Sequence, residues 1–333
     1  PHIQSFLENC RFPKRAAEED ENTHEVVASI DASTDEWNRN ILTVDGSYVT
    51  ISANKDYPSS EIAFFQFGAI LFSFEDLKNL SGLPFIFPEN MRSLQNLERI
   101  KLAIPIKNIL SNNQTSLNES IRSALYEFFL RAHRNDAIFM ETLCWLIFEE
   151  YSDTPKSEYV LSSNPNLHAP GGPVRLIRSE MNRDYIFQSD SGPIYLTDVF
   201  RFHEVIDEDY GASGILGYMC RLIEQVILLH YLRIIYVNQP KALQDFVFIS
   251  NGPLSFSGQT ANMHKVVRNL CNFLAKKTDL YLFGIEKSGP FVEHALQICT
   301  KSESRFFLDK NQYLILSNDY IYRYIVPGDP ARM

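Results

Sequence analysis

The hydrophobic pattern opens its clearest stretch with two β-rich runs joined through an acid and a glycine. Asn40-Ile41-Leu42-Thr43-Val44 leads into Asp45-Gly46-Ser47, and Tyr48-Val49-Thr50-Ile51 follows. Val, Ile, Thr and Tyr suit a pleated, half-buried setting, and Asp-Gly is a strong hairpin dipeptide. The pattern therefore predicts a turn at Asp45-Gly46, with the carboxylate where the first strand leaves the sheet. A carboxylate there is a natural hard-oxygen ligand for Mg²⁺ or Mn²⁺, although a plain hairpin turn is the commoner account of the dipeptide. A third run, Glu61 to Phe72, is too β-branched and aromatic for a helix and completes three consecutive antiparallel strands.

Helical spacing follows. Short helices are expected at Glu75 to Leu80 and Met91 to Leu102, and Thr115-Ser116-Leu117-Asn118-Glu119 offers several caps for a longer one. In that helix Leu117, Ile121, Leu125, Phe128 and Phe129 recur on one side; the next, about Ala137 to Tyr151, carries Phe139, Leu143, Leu146 and Ile147. Such stripes are core positions. Residues 152–175, rich in Pro and Gly, are expected to form a long loop. Asp190-Ser191-Gly192 between Tyr185-Ile186-Phe187 and Pro193-Ile194-Tyr195-Leu196 predicts a hairpin, followed by a dense polar group, Asp198, Arg201, His203 and Glu204.

The helix expected from Ser213 to Val237 is apolar nearly all round, which marks it as buried. Glu224 sits on it. A buried carboxylate is costly without partners, so Glu224 calls either for an ion pair, with Arg221 one turn earlier, or for a metal ion. Asp245 to Ser250 is the clearest buried strand and leaves sharply through Asn251-Gly252-Pro253-Leu254. A helix from about Thr260 to Lys277 and a strand from Leu280 to Ile285 complete a right-handed parallel crossover. Sites in open α/β sheets form at the carboxyl ends of strands, which places Asn251 and Lys287 on one edge. A further helix, Pro290 to Cys299, precedes two apolar runs, Arg305 to Leu308 and Tyr313 to Leu316.

The ends read differently. Residues 1–25 hold Lys14-Arg15 and the acidic run Glu18 to Glu21, and residues 26–40 are polar with anchors at Ile30 and Trp37. We read 1–40 as a lead-in and 41–333 as one domain with a helical insertion over about 75–180. The opening on Pro1 and the close after Met333 lead us to expect a trimmed start and a continuation beyond the last residue.

Composition narrows the classes. Over 333 residues, 45% hydrophobic content supports a sizeable core, and a net charge of −10 excludes a surface coated in basic groups for nucleic acid. The longest apolar stretch, Ile215 to Val237, is broken by Arg221, Glu224, His230 and Arg233, so no membrane span is expected. Cys10, Cys144, Cys220, Cys271 and Cys299 are odd in number without CxxC spacing, which argues against zinc. They read as buried thiols in a cytoplasmic protein. His203, His230, His264 and His294 form no metal-binding spacing.

In sequence order stand a strand with Asp45-Gly46-Ser47, an acid on a later helix, a strand ending in Asn251-Gly252-Pro253-Leu254, and a strand followed by Glu286-Lys287-Ser288. This order resembles the NurA nuclease family. The resemblance, spanning most of residues 40–290, implies an α/β fold: an RNase H-like mixed sheet flanked by helices. It makes Asp45 the first metal ligand and Glu224 the second acid, with Glu141 a weaker rival. Asn251 takes the place of the third ligand, and Lys287 contacts phosphate. It implies Mn²⁺ or Mg²⁺, cleavage at DNA ends, a homodimer and a HerA-type hexameric ATPase partner, in DNA repair or anti-phage defence. Two departures stand out. Asn251 replaces the family's aspartate and brings no charge to a cation, and the family's C-terminal His or Asp motif does not occur before Met333. The alternative is therefore a catalytically weak or inactive NurA-like subunit that binds DNA or the ATPase ring.

Overall fold

The computed structural model describes residues 27–29, 39–81, 95–132, 137–300, 308–309 and 311–326. The chain divides into two compact units, one of residues 37–285 and one of residues 1–36 with 286–333. Most of the lead-in, with Lys14, Arg15, Ile30 and Trp37, and most of the run at 305–308 lie outside the described residues.

The larger unit is built on a mixed five-stranded sheet. Its strands are β1 (Asn40–Ser52), β2 (Glu61–Ser73), β3 (Gln95–Lys107), β4 (Phe246–Asn251) and β5 (Tyr281–Ile285). The spatial order is β5-β4-β1-β2-β3. β2 runs antiparallel to β1 and β3, while β4 is parallel to both β1 and β5. The unit is thus mixed α/β with helices flanking the sheet.

Three expectations change here. Asp45-Gly46 is not a turn: both residues lie inside the 13-residue β1, paired across to Gly68 and Phe67 of β2. The two runs flanking the dipeptide are one strand, because a full ladder on one side outweighs the turn preference of two residues. The connection to β2 is made by residues 53–60, with Ala53 donating to the Ser60 carbonyl at 2.6 Å. Second, residues 95–102 are not helical but open β3. Ile100, Leu102, Ile104 and Ile106 are all buried, a period of two; Pro105 is tolerated because β3 is an edge strand. Third, the loop expected at 152–175 contains the strand Glu158–Leu161, paired antiparallel with Val174–Ile177.

The other elements fall close to their predicted places. A short helix occupies Phe74–Ser81, then α1 spans Leu117–Leu130 and α2 Phe139–Ile147. The hydroxyl of Ser116 caps α1 by accepting from the Glu119 N–H at 3.1 Å. The hairpin Ile186–Ser189 with Gly192–Tyr195 is formed. The long α3 covers Leu216–Asn238 and α4 covers Met263–Lys277.

The core lies where these helices meet the sheet. On β1 and β2 one face alternates Leu42 and Val44 with Ala63, Phe65, Phe67 and Ala69, all buried. α3 packs on this face; the segment Ser213–Asn238 is apolar and long enough to cross a membrane by composition, and 78% of its most apolar window is buried in the fold. In the smaller unit, Val27–Ser29 pairs antiparallel with Gln312–Leu314. There the helix Pro290–Cys299 is tied to Asn318–Tyr324 by His294 Nε2 and the Tyr320 hydroxyl, 2.7 Å apart.

Candidate functional site

The site begins with where strands end. β4 pairs with β1 only from Asn40↔Phe246 to Val44↔Ser250. β1 continues to Ser52, so its edge is open on the β4 side from Asp45 onward. The chain leaves β1 toward β2 on one side, while β4 is added on the other. That is a topological switch point at the carboxyl end of β4, the place where open α/β sheets bind ligands.

Asp45 and Asn251 meet there. The Asn251 Nδ2 donates to Asp45 Oδ1 at 2.6 Å, joining residues 206 apart in sequence. Asp45 is exposed and Asn251 half-buried. Asn251 is held from behind by the parallel pairing to Ile285, and the next residue, Gly252, donates its N–H to the Ile285 carbonyl at 2.7 Å.

Glu224 comes to the same point of β1 from α3. Its side chain is 6% exposed, and a Cβ on Gly46 would lie 3.0 Å from Glu224 Oε1 and 2.5 Å from the Phe67 ring. Glycine at 46 is therefore what lets the carboxylate approach the backbone. Alternation along β1 sends neighbouring positions to opposite faces. Glu224 accordingly reaches Gly46 on the helix-covered face, while Asp45 and Asn251 share the other. The open edge of β1 is where the two faces meet. Electrostatics link them as well. Burial first, then the carboxylates of Glu224 and Asp45, pushes the Cys220 thiol up to about 12.

Arg221 and Glu141 each have a partner of their own. Arg221 places its Nη2 on the Pro253 carbonyl at 2.6 Å, bracing the exit from β4. Glu141 on α2 accepts from Arg233 Nη1 at 3.1 Å. Lys287 is exposed and belongs to the smaller unit. Cys144 and Cys220 are buried as expected, whereas Cys271 is half-buried and Cys299 exposed. Sequence reading missed Gly46 as a packing position and Cys220 as a neighbour of both acids. Cys220 lies one turn before Glu224 on a helix already read as buried, and that spacing was the available signal.

No group of three His, Cys, Asp or Glu side chains that could hold a metal occurs among the described residues. The trio here has two acids and an amide. Carboxylate and amide oxygens are hard donors suited to Mg²⁺ or Mn²⁺. The bare backbone at Gly46 admits the Glu224 carboxylate to β1 one residue along from Asp45, on the opposite face of the strand. The chain matches no family model, no curated protein and no solved structure.

Proposed function

We propose that the chain is a metal-dependent DNA nuclease with an RNase H-like core, as its resemblance to NurA implies. The fold part of this reading is supported by a sheet ordered third-second-first-fourth-fifth, in which only the second strand is reversed. The observation that carries the site is the 2.6 Å contact between Asp45 and Asn251 at the end of β4. Two segments chosen from sequence order alone are brought within one hydrogen bond.

In this reading Asp45, Asn251 and Glu224 would hold Mn²⁺ or Mg²⁺. Such an ion, when bound, supplies an activated water and offsets charge on the phosphodiester. Asp45 is solvent-exposed and on the open edge, so it is the ligand that faces substrate. Glu224, buried against Gly46, fixes its oxygen by packing. Asn251 presents its amide oxygen after the side chain turns over, exchanging the N–H now given to Asp45. Lys287 as a phosphate contact, the homodimer and the HerA-type ATPase partner rest on the resemblance alone, as does a role in DNA repair or defence.

One observation favours the second reading, a weak or inactive subunit. Asn251 already satisfies Asp45 with a donated hydrogen bond and adds no negative charge. Cleavage of DNA in Mn²⁺ separates the two. The nuclease reading expects cleavage that Asp45→Ala abolishes, and an increase of about tenfold or more in Asn251→Asp, equivalent to ~1.4 kcal/mol. Cleavage that survives Asp45→Ala rejects the site. Inactivity of the wild type with recovery in Asn251→Asp establishes the second reading.

A further inference from the structure

Where the chain leaves β4 just past Asn251, α3 and the exit segment form a recess of about 300 Å³, lined by Gly214, Gly217, Tyr218, Arg221, Ser255 and Ser257 with Pro253. We infer that this recess is a subsite for one nucleotide of single-stranded DNA, taking the phosphodiester next to the one cleaved. The inference rests on the nuclease reading for the position of the cleaved bond, but the binding it describes needs no metal.

The recess has one charged wall. Arg221 is fixed by its bond to Pro253, and its guanidinium also covers Gly252: a Cβ there would lie 2.6 Å from Nη1. Gly252 at φ +82 follows Asn251 directly, so the cation stands one residue from the candidate centre. A guanidinium with five donors in a rigid fork is suited to a phosphate. Ser255 and Ser257 add hydroxyls to the lining. In a chain of net charge −10, a cation beside two acids is where a polyanion can be held without meeting like charge on every side.

The other walls fit the rest of a nucleotide. Tyr218 lines the recess and is 40% exposed, with its hydroxyl, Cζ and Cε1 against Gly258. Bases of any identity stack on such rings. Gly217 is exposed, and a Cβ there would meet nothing within 4 Å, so the floor is open backbone. At about 300 Å³ the recess is at the small end of ligand sites. It admits one nucleotide and not a duplex.

Position 217 provides the test, because side chains added there enter open space and replace a helix-disfavoured glycine. The full chain is titrated with a fluorescein-labelled oligothymidylate in EDTA, and anisotropy is read at several salt concentrations. Gly171→Ala, outside the recess and likewise with nothing within 4 Å of an added Cβ, should bind like wild type. Gly217→Glu should bind about tenfold weaker, with a salt slope shallower by about 0.7, the contribution of one single-strand phosphate. Gly217→Lys should bind more tightly, a change of opposite sign that misfolding cannot give. Equal affinity and slope in Glu and Lys variants, or no binding by wild type, overturns the subsite. Displacement of the DNA by inorganic phosphate at matched ionic strength reassigns the recess to free phosphate and also overturns it. Failure of wild type to cut in Mn²⁺ while the 217 series behaves as stated removes the nuclease reading and leaves the subsite. Cleavage with an unresponsive 217 series does the reverse.

Discussion

Gly46 shows how much one missing methyl group can decide. A Cβ there would stand 2.5 Å from the Phe67 ring and 3.0 Å from a Glu224 oxygen. Phe67 is fully buried, so the ring has little room to yield. Gly46→Ala should cost about 1–3 kcal/mol, the usual penalty of overpacking. It should also depress any metal-dependent activity more than Gly68→Ala, where a Cβ meets nothing within 4 Å. Thermal melts of the two variants measure the difference. Glu204 gives a residue-scale effect of pH. Burial works against its charge, but hydrogen bonds from Arg201, Ser162 and Ser163 prevail and lower it from an ordinary 4.5 to about 2. A depressed carboxyl contributes stability in full above its unfolded value. That contribution is lost as pH falls from about 4.5 toward about 2. Glu204→Gln should therefore flatten the acid limb of a stability curve in that window. A limb of unchanged slope would show that Glu204 does not carry it.

Arg122 of α1 joins its helix to the segment after the Gly192–Tyr195 strand. It makes two 2.8 Å bonds to the two oxygens of Asp198, and further bonds reach Asn166 Oδ1 at 3.1 Å and the Pro193 carbonyl at 3.0 Å. Arg122 and Asp198 are 6% and 3% exposed. Burial opposes the arginine's charge, yet the bonds to Asp198 keep it raised above its ordinary value. Removing one member of a buried pair strands the other, so Arg122→Ala should cost about 3–5 kcal/mol. Arg122→Lys should recover little, since an ammonium cannot reproduce the fork; urea unfolding measures both. The sequence showed Asp198 only as part of a polar group among aromatics, because a partner 76 residues away has no local signal. The elements themselves were legible where periodicity was strong: α1, α3, α4, β4 and β5 fall close to their predicted spans. β3 was misread although Ile100, Leu102, Ile104 and Ile106 alternate, since the apolar positions ahead of them suit a helix as well. Asn251 was legible as a strand-end group, whereas Asp45, expected at a strand end, lies inside β1. The face from which Glu224 approaches was not legible, because it depends on how α3 crosses β1.

At the scale of the molecule, the division at residues 37 and 285 makes a claim about cooperativity. Every buried residue of the main hydrophobic cluster, from Leu42 to Leu274, lies inside the larger unit. All five strands of the central sheet and helices α1 to α4 do too. A segment that holds its own core is expected to fold alone. A fragment of residues 37–285 should therefore melt in one cooperative transition and keep the near-ultraviolet signal of fixed aromatic packing. Its last residue, Ile285, accepts from the Gly252 N–H, so fraying there would loosen the site before the core. Oligothymidylate binding by the fragment should accordingly fall more than its melting temperature does. The fragment lacks Lys287, so its cleavage in Mn²⁺, compared with full-length Lys287→Ala, separates loss of that lysine from loss of the smaller unit. Equal defects in the two would place the whole contribution of the smaller unit in one side chain. A fragment that unfolds without cooperativity would show instead that residues 286–333 complete the core.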